Sequence, residues 1–155
     1  MDLDELLDKD VFLAQDKWAF GVIEIGRKYK ANEDYIKYAN NFLDNLYGFN
    51  FGDVLFKPTF ASETQFRLTK ESALSYFISG NSKFSEDSGF ALNNWEKIRF
   101  ENSGIKIESN IALAMGNYYF YANGIEKKVE FTFVYKRDLN GILRIILHDS
   151  HLPYV

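Results

Sequence analysis

Three hydroxyls set among apolar neighbours and two histidines near the C-terminus are the side chains here whose types suit chemistry. Thr59 follows Pro58, Tyr76 sits in the run ALSYFI, and Ser150 lies between His148 and His151, the only histidines in 155 residues. Hydroxyls in such settings can donate and accept hydrogen bonds at the mouth of a pocket, and an imidazole can pass a proton near neutral pH. Taken singly, each is more often a structural residue than a catalytic one. The C-terminal run ILRIILHDSHLPYV reads as a strand, so Ile142, Arg144, Ile146, His148 and Ser150 should share one face, and Leu143, Ile145, Leu147, Asp149 and His151 the other. His148 and Ser150 then stand roughly 7 Å apart by strand rise, too far for a direct Ser–His dyad. Asp149 and His151 are expected to form an ion pair on the outer face.

Other chemistries lack their residues. His148 and His151 point opposite ways on a strand, and with no cysteine and no third histidine a zinc site would need carboxylates from elsewhere; a hard cation held by carboxylates has no signal in the sequence, and no metal ligands are assigned. No G-x-S-x-G turn, P-loop or dinucleotide fingerprint occurs.

The elements that must position these groups change character along the chain. Apolar residues at Val11, Ala14, Trp18, Val22, Ile25 and Tyr29 recur at helical spacing after a cap at Asp8 or Asp10. A second helix is expected from Asn32, with Ile36, Ala39, Leu43, Leu46 and Tyr47 on its apolar side and Gly48 closing it. Residues 53–61 read as a short extended segment that Pro58 confines to an edge or a strand end. Thr69 should cap a third helix over residues 70–80, and the Ser-, Asn- and Gly-rich stretch 81–89 reads as a mobile loop. From Trp95 the period becomes two, over residues 95–101, 105–122, 127–136 and 142–150, with turns expected at Ser103-Gly104, Asn123-Gly124 and Asn140-Gly141. Short connections imply antiparallel neighbours. The expected fold is α+β, with N-terminal helices packed on one face of a strongly curved antiparallel sheet, in one domain spanning residues 1–155.

Composition sets further bounds. The net charge of −4 and the lack of an extended Lys/Arg cluster argue against a nucleic-acid partner. No stretch approaches the ~18 apolar residues of a spanning helix, and the acidic start is not a signal peptide, so a cytoplasmic location is expected as written, with a removed upstream export signal left open. Aromatic residues make up 17%, more than one small core usually needs, which suits an aromatic-lined cavity, a homo-oligomer contact, or both.

The order of elements resembles the nuclear-transport-factor-like or SnoaL-like cone, which implies a curled sheet around a pocket and an open face that often dimerises. VLFKPT at 54–59, GFAL at 89–92, IALAMGNYYF at 111–120 and LRIILHDSHLPY at 143–154 are similar to the iota-class carbonic anhydrases, a family with that fold, related to the association domain of calmodulin-dependent kinase II. The resemblance implies reversible hydration of carbon dioxide to bicarbonate, carbon dioxide and bicarbonate as small-molecule partners, and a homodimer or larger homo-oligomer. It also implies no required cofactor, although some relatives use manganese. Matched by motif, the family's bicarbonate- and water-binding Thr and Ser fall on Thr59 and Ser150; its Tyr falls on Tyr76 of the third helix, and His148 is counted with the substrate-binding residues. This chain has HDSH where the family has HHSS, and by strand parity both changes lie on the face away from Ser150. A non-catalytic oligomerisation or small-ligand-binding domain is the alternative reading, and a cone-fold enzyme with a deep His base in a large pocket is another.

Overall fold

The computed structural model describes residues 4–155; residues 1–3, the first part of the acidic N-terminal run, lie outside the described residues. Helix α1 covers Asp8–Lys30 and turns Val11, Trp18, Val22 and Ile25 into the core, as their spacing requires. Its N-cap is Leu7, not Asp8 or Asp10, and Asp10 serves the helix start from the first turn by accepting the Leu7 N–H at 2.9 Å. Helix α2 covers Tyr35–Leu46. It begins later than the sequence suggested because Asn32 adopts φ 58°, outside the helical region, and the Asp34 carboxylate caps the Lys37 N–H at 3.1 Å. Helix α3, Lys70–Ile78, is capped by Thr69, which accepts the Ser72 N–H at 3.2 Å.

Five strands follow the order β1-β5-β4-β3-β2: β1 Leu55–Lys57, β2 Lys97–Glu108, β3 Ile111–Ala122, β4 Ile125–Arg137 and β5 Leu143–His151. The last four form the expected antiparallel meander, with Asn123 (φ 54°) and Gly124 (φ 76°) making the tight β3–β4 turn. β1 departs from the fully antiparallel expectation and runs parallel to β5, Phe56 opposite His148 and Lys57 opposite Asp149, because α3 and the whole meander separate the two strands in sequence. The result is a five-stranded mixed sheet with the helices over its concave face.

Two sequence signals meant something other than the turn or alternation they suggest. Ser103-Gly104 is a bulge inside β2 opposite Gly116, where a Cβ would lie 2.1 Å from the Glu101 carbonyl oxygen; the β2–β3 turn comes at Ser109–Asn110 instead, with Ser109 at φ 55°. In β5, Val134 pairs with Leu147 but Tyr135 pairs with Ile145, so Ile146 is an extra residue and side-chain parity switches across it. Leu143 and Ile145 are therefore buried on the same side as His148 and Ser150, and Arg144 is not.

The 81–89 stretch is tethered, in contrast to the mobile loop expected. Asp87 is held by the fully buried Arg67 through two bonds of 2.7 Å and by the Ser75 hydroxyl at 2.6 Å. Glu86 accepts the backbone N–H groups of Ser62, Glu63 and Thr64, the nearest contacts being 2.7 Å for Ser62 and Thr64. Arg67 also donates to the carbonyls of Thr64 and Ser72. This cluster ties the segment after Thr59 to the helix that carries Tyr76.

Candidate active site

The parallel pairing of β1 with β5 carries the chain through Pro58 and delivers Thr59 to Ser150, 91 residues later, with Thr59 Oγ1 and Ser150 Oγ 2.6 Å apart. Tyr76 reaches the same place from α3, and its phenol oxygen accepts the Phe60 N–H at 3.3 Å. Thr59, Tyr76, His148 and Ser150 line one cavity together with Tyr118 and a wall of aromatic rings that includes Phe56, Phe77 and Phe90. Its volume is about 10 Å³, room for roughly one water molecule. The structure thus brings together all four residues named from the sequence.

Tyr118, on β3, was missed, and it supplies the link that strand geometry denies to His148 and Ser150. Its phenol meets His148 Nε2 at 3.1 Å and donates to Ser150 Oγ. Behind the imidazole, Nδ1 lies 2.9 Å from the Tyr47 hydroxyl, which in turn accepts the Trp18 indole N–H at 3.0 Å. Tyr118 lies in a stretch whose parity with Ala112 and Ala114 marks an inward side chain, but its partners become visible only once the β2 bulge and the cross-strand register are known. Tyr47 and Trp18 carry no local signal beyond their apolar helical spacing.

Every group around the cavity is electrically neutral. His148 is sandwiched between Phe133 (ring centroids 4.0 Å apart) and Phe56 (4.8 Å), and this burial lowers its pKa to about 3. Burial likewise pushes the phenols of Tyr76 and Tyr118 above the ordinary tyrosine range, opposed by their hydrogen bonds with the Phe60 N–H and with Ser150 respectively. The nearby cationic side chains on β1 and β5 point elsewhere. Lys57 Nζ donates to the Ser150 carbonyl at 3.0 Å, pinning the two strands, and Arg144 binds Asp138 and the carbonyls of Asp44 and Asn45. On the outer face, His151 pairs with Glu130 at 2.9 Å and lies 3.6 Å from Asp149, so HDSH differs from HHSS on the surface turned away from Ser150.

The donor set does not fit manganese. A hard divalent ion wants carboxylate oxygens, and this cavity offers neutral hydroxyls and one imidazole with both nitrogens already engaged by Tyr47 and Tyr118. Among the described residues no three His, Asp or Glu side chains converge on a common point. No described helix is long and apolar enough to cross a membrane. His148 is deep, as a base in a cone-fold enzyme would be, but the space beside it is small and both its ring nitrogens are occupied.

A helix-covered, curled mixed sheet closing on a small neutral cavity defines an α+β cone of the nuclear-transport-factor-like class. An NTF-2 like protein of unknown function from Shewanella oneidensis shares this fold at a TM-score of 0.57 and 13% identity, over 93% of this chain and 98% of its own. Far nearer is the crystal structure of the iota-carbonic anhydrase from a cyanobacterium complexed with bicarbonate: TM-score 0.95, 36% identity, covering 100% of this chain and 98% of that one. The metal-independent carbonic anhydrase of Nostoc sp. strain PCC 7120 is 39% identical over 153 residues, 96% of this chain and 75% of the relative. The family model described as metal-independent carbonic anhydrase matches residues 9–152. The chain belongs to the metal-independent carbonic anhydrase family.

Proposed function

We propose that this protein is a carbonic anhydrase, a carbonate dehydratase of the lyase class, that hydrates carbon dioxide reversibly without a metal, using Thr59, Tyr76 and Ser150 as its reacting and substrate-binding hydroxyls. The observation that carries this reading is the convergence of those hydroxyls on one neutral cavity in a chain that aligns end to end with a bicarbonate-bound relative. Carbon dioxide is small and apolar, so aromatic walls suit it, and a site of about one water's volume suits the nucleophile.

No cavity group is an effective base at neutral pH, because burial raises the two phenols and lowers the imidazole. A Tyr76 phenolate and an imidazole shuttle are therefore disfavoured as proton acceptors. The chemistry we propose is concerted. The water oxygen forms the new bond to carbon while one carbon–oxygen π bond breaks. The water proton passes to a hydroxyl oxygen, Thr59 Oγ1, as that hydroxyl's own proton passes to the substrate oxygen. Carbonic acid leaves and ionises to bicarbonate in solvent, so atoms and charge balance with no ion formed in the cavity. The Tyr76 phenol, whose oxygen already accepts the Phe60 N–H, stabilises the partial negative charge that develops on the substrate oxygens.

The assembly we propose with this activity is a homodimer. An apolar groove with Leu113 and the exposed Met115 on the outer sheet face supports it. A cytoplasmic location also goes with this reading. Stopped-flow carbon dioxide hydration on chelator-treated protein, beside a solution mass measurement, tests the proposal. Hydration that survives chelation is the expected result. An inert, stably folded oligomer would leave the site as a binding or assembly module.

A further inference from the structure

Five hydrogen bonds in series connect the Trp18 indole to Thr59: Trp18 to Tyr47 at 3.0 Å, Tyr47 to His148 Nδ1 at 2.9 Å, His148 Nε2 to Tyr118 at 3.1 Å, Tyr118 to Ser150, and Ser150 to Thr59 at 2.6 Å. A hydroxyl has one proton and an imidazole that stays neutral has one N–H, so such a series must run in one direction or the other. Its inner end decides which. The indole N–H only donates, so the Tyr47 oxygen accepts there, and His148 Nδ1 is the sole other partner of that hydroxyl among the described residues. If Nδ1 carried the proton, the fully buried Tyr47 O–H would have no acceptor, an arrangement folded proteins avoid.

We infer that the series runs outward, Trp18 to Tyr47 to His148 to Tyr118 to Ser150 to Thr59, which fixes His148 as the Nε2–H tautomer and aims the Thr59 proton into the cavity. Tyr47 and His148 are then positioning residues. They act through Tyr118 and Ser150 and set which hydroxyls donate. Nothing charged faces the imidazole: Trp18 of α1, Tyr47 after α2, Phe56 of β1, Tyr118 of β3 and Phe133 of β4 surround it. Burial, which lowers its pKa to about 3, keeps it in this neutral state through the working pH range. An outward series has a chemical consequence. Thr59 Oγ1 receives one proton from Ser150 and keeps a lone pair for the attacking water, while its own proton meets the substrate oxygen. This arrangement rests on the carbonic anhydrase reading of the site and gives its concerted step a defined polarity.

Nitrogen-15 NMR of the two histidines in the uniformly labelled full chain, assigned with His151→Gln, reads the tautomer directly. The expected spectrum from pH 5.5 to 8 shows His148 with a pyrrole-type Nε2 and a hydrogen-bonded imine-type Nδ1. In Tyr47→Phe, which removes one hydroxyl from a residue outside the cavity lining, the Nδ1 resonance should move downfield as its donor is lost. The kcat for hydration should fall about tenfold with KM unchanged. An Nδ1–H imidazole in the unaltered chain overturns the inference. So does a Tyr47→Phe protein whose Nδ1 resonance and kcat both match the unaltered chain. An unaltered chain without hydration activity would sink the enzymatic reading alone, since the tautomer is read without substrate.

Discussion

Thr59 Oγ1 lies 2.6 Å from Ser150 Oγ, although 91 residues separate them in sequence, and the contact exists because a three-residue parallel edge strand ends one residue before a proline. Ser150 is also where the Tyr118 hydrogen bond ends, so it joins the Thr59 hydroxyl to the buried network.

Ser150→Ala should therefore have two effects. Removing the oxygen leaves the buried Tyr118 phenol short of an acceptor, a cost of about 1–3 kcal/mol in unfolding free energy. Carbon dioxide hydration should fall by about 10²- to 10³-fold, as when an oriented hydrogen-bond donor is lost. Urea titration and stopped-flow pH-indicator traces measure the two, and near-normal turnover would remove Ser150 from the chemistry.

Tyr76→Phe isolates a hydroxyl with the ring retained. The ring packs against Phe90 (5.6 Å) and Phe56 (5.9 Å), so the fold should persist with a Tm within a few degrees of the parent. Hydration should be abolished. A fully active Tyr76→Phe protein would show that the phenol only lines the cavity.

His148 makes stability depend on pH with a calculable sign. Its pKa is about 3 folded and 6.5 when exposed, so the unfolded chain takes up a proton as pH falls below 6.5 while the folded chain does not. The contribution is complete above pH 6.5 and shrinks as pH falls toward 3, by about 1.4 kcal/mol per unit, or about 3 kcal/mol by pH 4.5. Chemical denaturation of the parent and of His148→Asn between pH 7 and 4.5 compares the slopes. The variant should be the flatter, and parallel slopes would show that the imidazole titrates normally in the fold.

Arg67 and Asp87 form a buried ion pair beneath the loop that follows Thr59, with side-chain exposures of 0% and 1%. Asp87→Asn leaves the guanidinium without its close carboxylate, Glu86 standing 3.7 Å away, and should destabilise the protein by about 3–5 kcal/mol. Hydration should fall as well, since this pair ties the segment after Thr59 to the helix bearing Tyr76. A variant of parental stability would mean the loop is held by Glu86 and its backbone contacts alone.

Much of this architecture is legible in the sequence because the helices are strongly periodic and the Asn123-Gly124 turn fits only one kind of hairpin. Thr59, Ser150 and His148 could be named because short motifs surround them, and Tyr76 from its place on the third helix. The misreadings share a cause. Ser103-Gly104 looks like a turn, and 142–150 like one unbroken alternation, because a bulge is defined by the partner strand and leaves no mark in its own residues beyond a glycine. The parallel edge pairing of β1 was hidden for a similar reason, since three residues carry no directional signal. Tyr118 was overlooked because a tyrosine in an aromatic-rich strand looks like packing until its hydroxyl is seen between His148 and Ser150.

The additional residue at Ile146 has a bearing on transplanting this site. The proximal half of β5 seals the barrel-like interior with Leu143 and Ile145, and the distal half aims His148 and Ser150 at the same interior only because the phase has slipped by one between them. Grafting HDS onto a regular strand of another cone, at the position that keeps its leucine and isoleucine inside, would turn the serine and histidine outward to water. Anyone moving this chemistry to a new scaffold must carry the irregularity along with the side chains.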